Sequence, residues 1–148
     1  LLTDPFRAIG LETRVMLERL TGRSAVFTEP DEVRELADGA EVAVAGLTFE
    51  AIHAPGHTPG STMFRIPYQA GADINSVVFS GDVLFAGSIG RADFPGGSLP
   101  DMLKSLRTKV LPLPDTVAVL PGHGPQTTMA RERVGNPYLQ NLAELSKE

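Results

Sequence analysis

The stretch Ala54-Pro55-Gly56-His57-Thr58-Pro59-Gly60-Ser61 decides how this chain is read. An apolar alternating run, Leu47-Thr48-Phe49-Glu50-Ala51-Ile52, leads into it, and a second, Met63-Phe64-Arg65-Ile66, leads out. Period-two alternation on both sides predicts a strand, a tight loop and a returning strand. Two glycines and two prolines among these eight residues constrain the loop backbone, because Gly permits positive φ and Pro presets φ. A rigid loop that projects one imidazole suits a metal ligand, which has to be held in place before the ion arrives. Taken alone, His57 reads first as a structural loop histidine and only second as a ligand.

Two further strand ends alter that balance. The apolar run Thr116-Val117-Ala118-Val119-Leu120 delivers Pro121-Gly122-His123-Gly124-Pro125, a second imidazole in an equally constrained loop. Between them Val77-Val78-Phe79, a short strand of the fully buried type, ends at Ser80-Gly81-Asp82. On its own Asp82 also reads as a turn or helix cap. The chain has three His and no Cys, so a metal would be held by imidazole and carboxylate. The third, His53, stands four residues before His57, but Pro55 and Gly56 forbid a helical His-x-x-x-His pair. His53 is expected to point away from the other two.

Composition narrows the class. The 148 residues and 15.8 kDa amount to one domain, expected to span 1–148, and 42% hydrophobic residues suffice for a core. A net charge of −5 and a pI near 5.2 argue against nucleic acid as partner, since phosphate binding needs a basic face. No apolar run approaches the roughly 18 residues of a membrane span, so no membrane partner is expected. The lack of Cys fits a reducing compartment and a cytoplasmic location. It also removes a cysteine nucleophile, and there is no Gly-x-Ser-x-Gly motif.

Taken in order, Gly56-His57-Thr58-Pro59-Gly60-Ser61, then Ser80-Gly81-Asp82-Val83-Leu84-Phe85 with Gly87-Ser88-Ile89-Gly90-Arg91-Ala92-Asp93-Phe94-Pro95-Gly96-Gly97, then Leu120-Pro121-Gly122-His123-Gly124-Pro125 and Asn136-Pro137-Tyr138-Leu139, resemble the later metal motifs of the metallo-β-lactamase fold. The nearest branch is the glyoxalase II-like hydrolases, and the resemblance runs from about Glu41 to Leu139. It implies an α/β (α+β) αββα sandwich, with metals where strand-end loops converge. In such a site His57 serves one zinc, His123 a second, and Asp82 bridges both; metal-bound hydroxide attacks a thioester carbonyl. Asp82 is thus the catalytic residue as well as a ligand. Arg91, beside Asp93, forms a loop-stapling ion pair or directs its guanidinium at a substrate carboxylate, as a basic residue at the matching position does in glyoxalase II proteins.

That family opens with a His-x-His-x-Asp-His motif, and here no His precedes His53. The chain, which begins at Leu1, is therefore expected to be the back part of a longer protein, truncated at the N-terminus of the fold. Such a piece would expose an apolar sheet face, expected to be covered by residues 1–28, by a missing N-terminal segment or by a second copy in a homodimer. Two alternatives stay open. One is a mononuclear iron persulfide dioxygenase, although that branch has Ala-His-Asp-Tyr where this chain has Gly122-His123-Gly124-Pro125. The other is a metal-free, inactive fragment. The partner expected for the intact protein is a small-molecule thioester, and the thiol carrier is left open.

The remaining expectations are local. Leu11, Val15, Met16, Leu17 and Leu20 suggest a helix ended by Gly22, and Val33–Leu36 a helical turn. Strands 41–45, 47–54 and 61–67 should form a meander, residues 69–76 a loop, and Gly87–Gly97 loop throughout. Ser98 should cap a helix reaching Val110 with Met102, Leu103, Leu106 and Val110 inward, followed by helices at 128–134 and 138–146.

Overall fold

The computed structural model describes residue 15, residues 18–23 and residues 34–145. The chain divides into two compact units, Leu1–Glu35 and Leu36–Glu148. In the first, a helical turn over residues 18–21 ends at Gly22, whose φ of 65° and N–H bond to the Glu18 carbonyl (2.9 Å) form the expected left-handed stop. Leu11, Met16 and Leu17 lie outside the described residues. So does Val33, and residues 34–36 carry no helical turn.

The second unit is built on one six-stranded mixed sheet. Its strands are β1 (Glu41–Val44), β2 (Leu47–His53), β3 (Thr62–Ala70), β4 (Ile74–Gly81), β7 (Val117–Pro121) and β8 (Thr127–Thr128), in that spatial order. β1 to β4 are an antiparallel meander, and β4 pairs in parallel with β7. The parallel pair needs a long crossover, and the chain supplies it. It consists of the short hairpin β5 (Leu84–Phe85) and β6 (Ser88–Ile89), then helix α1 (Leu99–Ser105), which widens into a π-helical stretch over Leu106–Val110. Helices α2 (Met129–Gly135) and α3 (Pro137–Leu145) close the chain.

The core fills one face of the sheet. Ile52, Met63, Val78, Val117 and Val119 meet Met102, Leu106 and Val110 from the crossover helix and Met129, Leu139 and Leu142 from α2 and α3. α1 starts where its sequence says: the Ser98 side chain accepts the Asp101 N–H (3.3 Å), and Pro100 occupies the first turn, where no N–H is needed.

Three expectations need correction. The loop expected at 69–76 shrinks to residues 71–73, because β3 runs on past an irregularity between Pro67 and Ala70 to pair Ala70 with Ile74. Gly87–Gly97 is not loop throughout, since Ser88 and Ile89 pair with Phe85 and Leu84. Phe79 is not buried like Val77 and Val78 but 41% exposed. It sits on the sheet face opposite the core, edge-on to Phe49 (centroids 6.1 Å apart), with Val44 and Leu47 also half exposed. Most of residues 1–28, expected as one cover for an apolar sheet face, lie outside the described residues.

Candidate metal centre

Each candidate side chain sits where a strand of the sheet ends. His57 leaves the end of β2 on a loop that lies directly on α1. A Cβ at Gly56 (φ 147°) would be 2.4 Å from the Met102 Cα, so only glycine permits this approach. The start of the loop is tied down twice: Ser98 N–H donates to the Gly56 carbonyl (2.8 Å) and the buried Ser105 hydroxyl to the Pro55 carbonyl (2.7 Å). Within it, Thr58 N–H donates to Ser61 Oγ (3.0 Å). Asp82 follows Gly81 (φ 51°) at the end of β4, and Gly122 N–H bonds the Gly81 carbonyl (2.9 Å), drawing the β4 and β7 ends together. His123 follows the end of β7.

The three converge although 25 and 41 residues separate them in sequence. His57 Nε2 lies 3.4 Å from Asp82 Oδ2, and His123 Nε2 lies 3.7 Å from Asp82 Oδ1. Each carboxylate oxygen thus faces a different imidazole. His57 Nδ1 is 2.9 Å from the Arg91 carbonyl, which only accepts, so Nδ1 carries the proton. A neutral His57 then turns its Nε2 lone pair toward a carboxylate oxygen. Two acceptors face each other, an arrangement made favourable by a cation between them or by a proton on Nε2. The spacing fits the cation: two ligands about 2.0–2.1 Å from one tetrahedral ion stand about 3.4 Å apart.

Among the described residues no three His or acidic side chains surround a single ion. The pattern is instead two His–carboxylate pairs sharing Asp82. Imidazole nitrogen and carboxylate oxygen are donors of the kind that hold a divalent metal ion.

Aromatic rings flank both imidazoles. Phe94 meets His57 edge-on at 5.0 Å, and Phe85 lies 4.6 Å from His123 at 31°. Two glycines bring backbone against Asp82: a Cβ on Gly90 would be 1.8 Å from the Asp82 carbonyl oxygen, and one on Gly122 would be 2.7 Å from Oδ1. Phe85, Phe94 and Gly90 had no role in the sequence reading. For Gly90 and Phe94 the signal was the Gly/Pro-rich run 87–97, and for Phe85 the Asp82-Val83-Leu84-Phe85 stretch; neither fixes a partner.

Arg91 makes the expected pair with Asp93, Nε to Oδ1 at 2.9 Å and Nη2 to Oδ2 at 3.3 Å. That hydrogen-bonded pairing holds the Asp93 carboxyl below its ordinary range and raises the guanidinium. Both side chains are more than two-thirds exposed, at 76% and 72%. His53 points away, as expected: its Nε2 meets the Pro59 carbonyl at 2.9 Å, and its N–H donates to Asp38 Oδ1 at 2.9 Å.

Comparison with known proteins identifies the family. The metallo-β-lactamase superfamily profile matches residues 5–123. Hydroxyacylglutathione hydrolase GloC of Haemophilus influenzae is 43% identical over 104 residues, 70% of this chain and 46% of that protein. The crystal structure of BLEG-1 B3 metallo-β-lactamase superposes with a TM-score of 0.65 at 42% identity, covering 84% of this chain and 56% of that one. TTHA1623, solved in a di-iron-bound form, gives 0.61 at 40%, covering 84% and 57%. The chain spans 62% or less of the length of the curated relatives named or matched at similar identity. No helix among the described residues is long and apolar enough to cross a membrane. With a profile match over most of its length and its ligand-type residues at the expected strand ends, the chain belongs to the metallo-β-lactamase superfamily.

Proposed function

We propose that this chain forms part of a zinc-dependent thioester hydrolase of the glyoxalase II type. The observation that carries the reading is the Asp82 carboxylate, whose two oxygens face His57 Nε2 and His123 Nε2 at 3.4 and 3.7 Å. A carboxylate so placed can bridge two ions, each also held by one imidazole, and ligands beyond the described residues would complete both coordination shells. Zinc bound there supplies a water acidified toward a pKa of about 7 and positive charge for a developing oxyanion. A thiolate is stable enough to leave without a general acid.

The chain's own residues do the positioning. The Arg91 carbonyl fixes the His57 tautomer so that Nε2 faces the site. Phe85 and Phe94 restrict how the imidazoles turn and keep apolar surface beside the reacting centre. The exposed Arg91 guanidinium can exchange Asp93 for a substrate carboxylate, a fork-to-fork contact suited to the end of a glutathione-like thiol. The GloC relative supports that substrate class.

The test is metal analysis and thioester turnover of the full-length protein, wild type and Asp82→Ala. The expected result is about two zinc ions in the wild type. Asp82→Ala should keep the fold and lose orders of magnitude in turnover together with metal. Unchanged thioester turnover in zinc-replete Asp82→Ala protein rules out the bridging role.

A further inference from the structure

Glu132 and Asn136 both bond the crossover hairpin and are buried, at 3% and 0% exposure. Glu132 Oε1 accepts the Thr127 hydroxyl (2.6 Å), and Oε2 accepts both the Gly87 N–H (2.8 Å) and Asn136 Nδ2–H (2.9 Å). Asn136 Nδ2 also donates to the Ser88 carbonyl (3.1 Å), and its Oδ1 accepts the Tyr138 N–H (3.1 Å). Among the described residues Glu132 makes no ion pair; three neutral donors hold the carboxylate. Removing a carboxylate from water is costly, and here three hydrogen bonds to neutral donors offset that cost. The network invites a reason beyond packing.

That reason lies in what the hairpin touches. Its turn is gripped on both polar sides, the Gly87 N–H by Glu132 and the Ser88 carbonyl by Asn136. From the same segment, Phe85 stacks near His123, Gly90 lies against the Asp82 backbone, and the Arg91 carbonyl takes the His57 Nδ1 proton. One seven-residue segment, 85–91, thus contacts all three candidate ligands. We propose that Glu132 and Asn136 are positioning residues that set the His57–Asp82–His123 geometry through residues 84–91, the hairpin and the two residues after it. The metal consequence rests on the reading of that site as a zinc centre; the clamping of the hairpin does not.

The test compares full-length wild type with Glu132→Ala and Glu132→Gln, by amide hydrogen exchange without metal and by zinc affinity in chelator competition. Gln can refill the network, its Oε1 accepting from Gly87 and Asn136 and its Nε2 donating to Thr127 Oγ1. Glu132→Ala should speed exchange of the Gly87–Gly90 amides by about tenfold or more, leave β4 and β7 protected, and weaken zinc binding about tenfold or more. Glu132→Gln should restore both. Unchanged exchange across Gly87–Gly90 in Glu132→Ala overturns the proposal, as does hairpin loosening with unaltered zinc affinity. If Glu132→Ala does not fold, Asn136→Ala, which releases the Ser88 carbonyl alone from the hairpin, faces the same criteria. A wild type that binds no zinc sinks the zinc-centre reading instead, and the exchange data then decide the clamp by themselves.

Discussion

Gly122→Ala tests the site with little disturbance of the fold. Its φ is not in the left-handed region, so alanine meets no backbone strain there, and the net stability change should stay within about 1 kcal/mol. The added Cβ, however, would lie 2.7 Å from Asp82 Oδ1, where ordinary contact begins at 3.4 Å. The carboxylate or the loop must therefore yield by about 0.7 Å, beyond the roughly 0.5 Å tolerance of a preorganised site. If a displacement of about 1 Å costs about 100-fold in rate and the logarithm scales with distance, the loss is about 25-fold, or ~1.9 kcal/mol of barrier. Gly124→Ala is the counterpart. Its φ of 80° imposes about 1–2 kcal/mol of strain, but a Cβ there meets nothing within 4 Å. The assay pairs denaturant unfolding with zinc affinity and thioester turnover in the full-length protein. Gly122→Ala should impair the site and spare stability, and Gly124→Ala the reverse. Full turnover and zinc affinity in Gly122→Ala would refute the claim that the Asp82 oxygen position matters.

Two other outcomes follow from packing and charge. Met102, fully buried with its backbone against Gly56, carries the His57 loop on α1; Met102→Ala should cost about 2–5 kcal/mol in denaturant unfolding, and a cost under about 1 kcal/mol would show that this helix does not anchor the core. The Asp38 carboxyl is held below its ordinary range, first by the hydrogen bond from Lys109 and next by the His53 N–H. A depressed folded-state pKa stabilises above the unfolded value of about 3.9, and that contribution is lost as pH falls through the lower folded value. Asp38→Asn should therefore be less stable than wild type at pH 7, with the gap closing below about pH 4 and shrinking in high salt, since the pair is part-exposed. A gap independent of pH would assign the effect to something other than the charge.

The strand ends that present His57, Asp82 and His123 were legible because each follows a run of apolar residues and is bounded by Gly or Pro, which are local signals. So was the start of α1, written in Ser98 and Pro100. What escaped depends on distant partners. Ser88 and Ile89 become a strand pair in a turn clamped by Glu132 and Asn136, more than 40 residues away. The end of β3 extends because Ala70 finds Ile74 beyond a register shift, which no alternation around Tyr68 foretells. Phe79 reads as core by composition, yet its exposure is set by what lies on the far sheet face. At the site, residue types and order were readable, whereas the Arg91 carbonyl on His57 and the rings beside both imidazoles belong to backbone and aromatic groups that carry no motif.

Anomalous diffraction at the zinc edge from crystals of the full-length protein tests the central claim most directly. Two peaks about 3.5–4 Å apart are expected. One should lie about 2 Å from His57 Nε2 and Asp82 Oδ2, the other about 2 Å from His123 Nε2 and Asp82 Oδ1. Zinc bound without contact to Asp82, or no peak beside His57 and His123 in zinc-supplemented crystals, would contradict it.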